Sequence, residues 1–539
     1  MHGRMSAPAR VAVLLAVLLI AGLLRWTTPD RAADLRPWPD ALEYEEAARS
    51  LNAGRGYLLW IGSDAYPPRY PPGMSLLIAA TMPILGRDAG VGIFVVLAGA
   101  LAAVAGAYAA GAAAGGFVCG VVAALLLAIA PLHVQWSRAV MSDVPASAAV
   151  VWLAVAVMGL LRRRAGPVAH LLLGVACGLA GTLRYTAWVV VPAACAAVAL
   201  CGDGTRGERL RRVAALLAGA ALGVLPLLWL NARTFGSPFH DGYGYWVRDP
   251  EMLLERAFEP HENGAGANLP FLLRQIFGLG TLYSLPAAVL LVLGTAGSRT
   301  DGGRARALVT IAWVSTAFVV LLHAGYLWQS DRFQLITLPV LCGVMALACG
   351  RATPVRVRSA AFALVLVTVL VAAASPRRFD PPDPQAWDVA TLRRIARVAE
   401  PNAAVLARTN PFAFERELRA DGADRVWVPL QTDAHTIGII RLRLEPIGRS
   451  TPPATWIRDS IRLPFSADAA LDLVSGLCRE GRPVYLSDQI ASQHDLLDPL
   501  EEALRHRFGL TEVLPADPYS VRRVDCPPAP PLARRAGGE

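Results

Sequence analysis

Residues 143–164 read DVPASAAVVWLAVAVMGLLRRR, and this stretch decides the fold class. Nothing between Val144 and Leu161 carries a charge, and an uncharged apolar run of about this length matches the roughly 20 residues a helix needs to cross a bilayer. Arg162, Arg163 and Arg164 close the run, and arginine clusters beside a span mark its cytoplasmic end. Asp143 opens it, with Pro145 in the first turn; both are preferred residues at the start of a helix. The stretch therefore reads as one oriented membrane crossing, with its carboxylate at the outer end.

The same pattern repeats along the chain. Apolar runs fall near 11–24, 71–86, 90–113, 116–133, 144–161, 168–182, 186–201, 213–230, 279–296, 307–324, 334–350 and 359–375. Further arginine clusters stand at Arg206, Arg209, Arg211 and Arg212, at Arg299, Arg304 and Arg306, and at Arg351, Arg356 and Arg358. They occupy every second loop, which assigns 25–70, 134–143, 231–278, 325–333 and everything after 375 to the outer face. Parity then requires one run between 71 and 133 not to cross. The candidate is 71–86, short and opened by Pro71, Pro72 and Gly73, although 90–133 could instead divide differently. About eleven crossings result, in a multi-pass protein of the cytoplasmic membrane.

Composition agrees. Of 539 residues 54% are hydrophobic and 17% charged, against about 25% charged in soluble domains. The net charge of +9 comes from loop arginines placed for orientation, not from a nucleic-acid surface. The sequence contains no lysine, which excludes lysine nucleophiles and Schiff bases. Six of the eight cysteines lie in or beside apolar runs, as small hydrophobes do. Only Cys478 and Cys526 fall in the soluble part, where an oxidising compartment would permit one disulfide between them. Gly202-Asp-Gly-Thr-Arg-Gly207 fits a dinucleotide pattern, but follows a membrane run instead of a strand.

The chain divides at 375. Residues 1–375 form the membrane module with its outer loops, and 376–539 an exported domain. In the latter, helices are expected at 388–399, 468–479 and 497–508 and strands at 403–408, 425–430, 483–487 and 510–514, a small open α/β sheet.

Candidate chemistry lies in the outer loops. The first carries WPDALEYEEAARSLNAGRGY over 38–57, a short amphipathic helix along the membrane, with Asp40, Glu43, Glu45 and Glu46 near its start. Read locally, this is equally a solvated helix whose dipole favours acids at its beginning, and Asp143 is equally a plain N-cap. Carboxylates at a membrane boundary are nonetheless expensive. Arg138, Arg184 and Arg332 stand at outer edges, the last two against the positive-inside trend; interfacial snorkelling would also explain them. Tyr243, Tyr245 and Trp246 suit either sugar stacking or an interfacial aromatic belt, and His240-Asp241 reads as a polar turn.

Five motifs in order carry a resemblance: Asp40, Tyr44, Ala48, Leu51, Gly54, Gly56 and Tyr57; Pro71, Pro72 and Gly73; Asp143 and Pro145; Phe235, Gly236, Pro238 and Phe239; and Arg332, Phe333, Leu338 and Pro339. Over about 10–375 the chain resembles the integral-membrane glycosyltransferases of the C-type fold, in the bacterial branch with the Rgt-like, aminoarabinose and protein-mannosyl transferases. The resemblance implies a polytopic α-helical enzyme that moves a sugar from a polyprenyl-phosphate donor to a lipid, glycan or protein acceptor. It implies Asp40 as the catalytic base and Asp143 as a second catalytic carboxylate that positions the acceptor or a Mg or Mn ion. Arg138, Arg184 and Arg332 would bind the donor phosphate, and Glu43, Tyr44, Tyr57, Tyr245 and Trp246 the substrate. One departure is that Asp40 is followed by Ala41 where many relatives carry a glutamate. A transporter or flippase, or a non-catalytic envelope assembly protein, is the alternative; against the former, no internal repeat is visible and the spans are nearly free of charge.

Overall fold

The structure is a computed structural model. It describes residues 6–28, 40–61, 64–86, 90–163, 165–246, 257–258, 267–276, 285–298, 303–326, 330–350, 353–375, 389–407, 414–419, 422–428, 467–487, 497–515 and 520–527. The chain forms two compact units, one of residues 1–32 and 69–384 and one of 33–68 and 385–539.

The first unit is helical. Each apolar run of the sequence becomes a helix: α1 (Ala7–Arg25), α3 (Gly73–Leu85), α4 (Ile93–Gly115), α5 (Phe117–Ile129), α7 (Asp143–Arg163), α8 (Pro167–Ala180), α9 (Val190–Cys201), α10 (Arg206–Phe235), α13 (Leu285–Gly297), α14 (Gly303–Ala324), α15 (Leu338–Leu347) and α16 (Val355–Ala374). Six of these (α1, α4, α7, α10, α14 and α16) are long and apolar enough to cross a membrane. The others are shorter, and proline sets some of their limits. The run at 116–133 breaks after Ile129 because Pro131 starts a separate short helix, α6 (Pro131–Trp136).

Contacts sort the helix ends into two sets. At the arginine-rich end Arg304 donates to the Ala113 carbonyl (3.0 Å), Arg209 to the Ala199 carbonyl (3.0 Å), and Cys201 meets Thr310 (3.8 Å). At the other end Arg25 donates to the carbonyls of Leu127 (2.9 Å) and Ala128 (2.6 Å), and Asn268 to those of Ala324 and Tyr326 (2.9 Å each). Helix α3 both starts and finishes at this second end. Its Gly73 N–H donates to the Thr182 carbonyl (2.6 Å), and a Cβ on Gly73 would stand 2.6 Å from that oxygen. Only glycine fits so close an approach. Beyond the helix Gly92 packs against Val140 of the loop before Asp143. Thirteen residues reach only about 20 Å at 1.5 Å per residue. So α3 enters and returns, and the other eleven apolar helices run from end to end.

Small residues allow the closest helix pair. Gly174 and Gly178 of α8 face Leu216, Ala220 and Gly223 of α10, where added methyl groups would collide with backbone.

The second unit joins α2 (Asp40–Asn52) and the hairpin β1 (Leu59–Ile61)–β2 (Asp64–Tyr66) to the C-terminal domain. The sequence division placed residues 33–68 with the membrane module; ion pairs between α2 and the C-terminal domain account for the difference. That domain holds α17 (Val389–Val398), α18 (Ala467–Arg479), α19 (Leu497–Arg507) and a mixed sheet. Its strands are β3 (Ala404–Leu406), β4 (Val426–Val428), β5 (Val484–Ser487), β6 (Leu510–Leu514) and β7 (Val521–Val524), in the order β4-β3-β5-β7-β6. The pairs β3–β4 and β3–β5 are parallel; β5–β7 and β6–β7 are antiparallel. Strand β7 was not expected, because Arg522 and Arg523 occupy its middle. A disulfide joins Cys478 to Cys526 across this domain's core.

Candidate active site

Within the first unit, the second outer loop supplies one side of the site. Asp143 opens α7, so its carboxylate points back out of the bundle. Arg184 precedes the 3-10 turn Tyr185–Val189 in an extended conformation. Its Nη1 donates to Asp143 Oδ2 (3.2 Å) and to Ser142 Oγ (3.4 Å). Side-chain exposure is 10% for the arginine and 2% for the aspartate. Two charges so buried hold only as a pair, since either alone would carry its desolvation penalty unrelieved. Sequence reading gave Asp143 an acceptor- or metal-positioning role; the geometry makes it the partner that orients Arg184.

Arg332 comes from the 3-10 turn Asp331–Ile336, whose start is held by Ser330 Oγ accepting from the Arg332 N–H (3.3 Å). Its guanidinium lies over the rings of Trp136 (5.3 Å) and Phe333 (5.8 Å), with Nη1 4.0 Å from Met141 Sδ. Aromatic faces favour a cation without neutralising it. His323 stacks on Phe333 at 4.0 Å, Tyr326 meets that ring edge-on at 5.8 Å, and both Arg184 and Arg332 act electrostatically on His323. Arg138 is half-buried between Trp136 and Asp143. Two arginines, one oriented by a carboxylate and one by aromatic rings, thus meet around one histidine, an arrangement suited to an anion.

An aromatic wall continues from Arg184. Tyr185 packs on Trp188 (5.5 Å) and on Tyr243 (5.9 Å), which meets Tyr70 edge-on at 5.6 Å. Asp241 is more than a polar turn residue: its Oδ1 accepts from the Gly244 N–H (2.9 Å), and its side chain hydrogen-bonds Tyr185. The side chains of Tyr245 and Trp246 lie outside the described residues.

In the second unit, α2 is not the solvated surface helix that its composition suggested. Asp40 (2% exposed), Glu43, Tyr44 and Glu45 are all buried. A helix burying three carboxylates is costly, and such positions concentrate function. The helix ends where Gly54 and Gly56 take φ of 70° and 82°, a left-handed turn open to glycine. That turn feeds β1, whose Trp60 donates to Ser50 Oγ (3.2 Å). Tyr57 sits half-buried in this turn. Much of the first motif therefore builds the helix that carries Asp40.

The divalent cation is poorly served at Asp143. One carboxylate oxygen already meets Arg184, and no group of three metal-ligating side chains gathers among the described residues. No step is assigned to a metal.

Arg25 was missed by sequence reading. It is 1% exposed and bonds His133 Nδ1 (3.0 Å) beside its two carbonyl partners. Its signal was available: it stands at the outer end of an apolar run, like Arg184. Ser142, Trp136 and His323 carried none.

Comparison with known proteins follows this geometry. Residues 69–230 match the family model described as dolichyl-phosphate-mannose-protein mannosyltransferase, a span that includes Asp143 and Arg184 but neither Asp40 nor Arg332. No curated protein matches the chain. Among solved structures, ArnT from Cupriavidus metallidurans bound to undecaprenyl phosphate is similar with a TM-score of 0.59 at 15% identity, over 99% of this chain and 100% of that one. The Archaeoglobus fulgidus oligosaccharyltransferase in its apo form gives 0.53 at 13% identity, over 98% and 76%. The mycobacterial arabinofuranosyltransferase AftD gives 0.51 at 14%, over 97% and 40%. The chain has the C-type glycosyltransferase fold. The ArnT match covers both units, so within this C-type fold the C-terminal domain belongs to the compared architecture and is no appendage.

Proposed function

We propose that the protein transfers a sugar from a polyprenyl-phosphate-linked donor to an acceptor hydroxyl at the outer face of the cytoplasmic membrane. The observation that carries the reading is the arginine pair. Arg184 is fixed by Asp143 and Ser142, Arg332 is framed by Trp136 and Phe333, and both act on His323. In the reaction the acceptor oxygen attacks the anomeric carbon and its proton passes to the Asp40 carboxylate. The bond from that carbon to the phosphate oxygen breaks, and its electron pair leaves on the lipid phosphate. Arg184 and Arg332 meet the charge that grows there. The aromatic wall of Tyr70, Tyr185 and Tyr243 offers faces for the sugar. Arginines on alternate loops place these residues outside, and the Cys478–Cys526 disulfide supports an oxidising compartment for the C-terminal domain.

Binding of polyprenyl phosphate to the detergent-purified protein tests the donor site. Wild type is expected to bind, and Arg332→Ala to bind about 10- to 100-fold more weakly, as loss of a charged hydrogen bond to phosphate predicts. No binding by wild type would overturn the reading.

A further inference from the structure

We infer that Arg416 of the C-terminal domain is a positioning residue for the helix that carries Asp40. Its role rests on the transfer reading above, because it acts through that carboxylate.

The second unit contains a continuous path from a domain core to α2. Trp427 of β4 is fully buried, donates to the Ala407 carbonyl (2.9 Å) and stacks on buried Phe414 (5.9 Å). Phe414 opens the π-helical turn Phe414–Leu418. Buried Leu418 closes that turn, its carbonyl held by Arg425 Nη1 (2.7 Å). Arg416 sits between these two anchors, so its backbone has little freedom.

From there its Nη1 reaches Glu46 Oε1 (3.0 Å) and Glu45 Oε2 (3.6 Å) on α2, and its Nε reaches Glu417 Oε1 (3.4 Å). Glu417 is held in turn by Arg393 of α17 (2.9 Å). Glu45 is fully buried and Arg416 is 16% exposed. Burial opposes the charge on Arg416, but the three carboxylates outweigh it and raise its pKa further above its ordinary value.

Glu45 and Glu46 lie about one and a half turns beyond Asp40 on the same rigid helix, so fixing them fixes the azimuth and height of Asp40. A base must be within hydrogen-bond reach of the proton it takes, and misplacing a catalytic group by about 1 Å can cost on the order of 100-fold. This gives the C-terminal domain a task beyond covering the acceptor: it holds the catalytic carboxylate in place.

The test uses the full-length protein in detergent with polyprenyl-phosphate-hexose and envelope extract. Arg416→Ala is expected to lower kcat by about 100-fold with KM for the lipid donor unchanged. Arg416→Lys should recover part of the rate, and the exchange Arg416→Glu with Glu46→Arg more than either single change. Amide hydrogen exchange separates positioning from unfolding: Arg416→Ala should lose protection over 40–52 and keep it in β3 and β5. A wild-type kcat in Arg416→Ala, or protection lost from the strands together with α2, would overturn the inference. Failure of wild type to transfer at all would instead contradict the transfer reading, and the clamp on α2 would still be judged by exchange.

Discussion

At the scale of residues, buried pairs govern the outcome. Arg184→Leu leaves Asp143 buried beside Ser142 without its cation, and is expected to destabilise the protein by about 3–5 kcal/mol. The double change with Asp143→Leu removes both charges and should cost less than the single one. Thermal melts of the three proteins check this; a double variant weaker than Arg184→Leu would contradict the pairing. A second pair responds to pH. Glu400 accepts from the Tyr485 hydroxyl (2.6 Å) and faces Arg523 (3.3 Å). Burial works against the carboxylate, but those partners outweigh it and hold its pKa below the ordinary 4.5. A depressed carboxylate pKa contributes stability above the unfolded value that is lost as pH falls through the folded one. Tyr485 runs the other way: burial first, then Glu400, push it up to about 12, so its share is present below pH 10 and lost above 12. Glu400→Gln should therefore flatten the acid loss of protection in β5, as read by hydrogen exchange; an unaltered profile would contradict the link. Sequence reading found Asp40, Asp143, Arg184 and Arg332 because each is a charge where membrane rules disfavour one. It could not find Arg416 or Asp241, since an arginine or aspartate in a soluble stretch breaks no rule and its partners are far away in sequence.

At the scale of elements, apolar length was the legible quantity. Every apolar run became a helix because lipid leaves backbone polar groups no other partner. What could not be read was where proline or a tight contact would shorten a helix, as at Ile129, or which run would turn back. The answer to the second lay in long-range contacts, Gly73 with Thr182 and Gly92 with Val140. The return of α3 predicts a labelling result. A membrane-impermeant maleimide applied from the outer face should modify both Leu85→Cys and Asp241→Cys and leave Asp203→Cys, at the arginine-rich end, unmodified. Modification of Leu85→Cys together with Asp203→Cys from the opposite face would mean that α3 crosses. In the C-terminal domain, helices and parallel strands showed as alternating patterns, whereas β7 escaped because its Val-Arg-Arg-Val core owes its place to pairing with β5 and β6 and not to its own residues.

At the scale of the whole molecule, the chain divides by contact and not by position in sequence. The segment 33–68 leaves the helical unit on both sides and packs with residues more than three hundred positions away, through Arg416. Hydropathy cannot show such a return, because ion pairs across that separation leave no periodic trace. One consequence is that the acid-bearing helix and the arginine pair are carried by separately folding parts, joined by chain at either side of α2. The central claim is sugar transfer with Asp40 as base, and single-turnover transfer of radiolabelled hexose from polyprenyl-phosphate-hexose into envelope extract tests it most directly. Wild type should transfer, and Asp40→Asn should bind the donor with wild-type affinity and transfer at a rate lower by at least about 100-fold, the scale of general-base catalysis. Transfer by Asp40→Asn at the wild-type rate would contradict the claim.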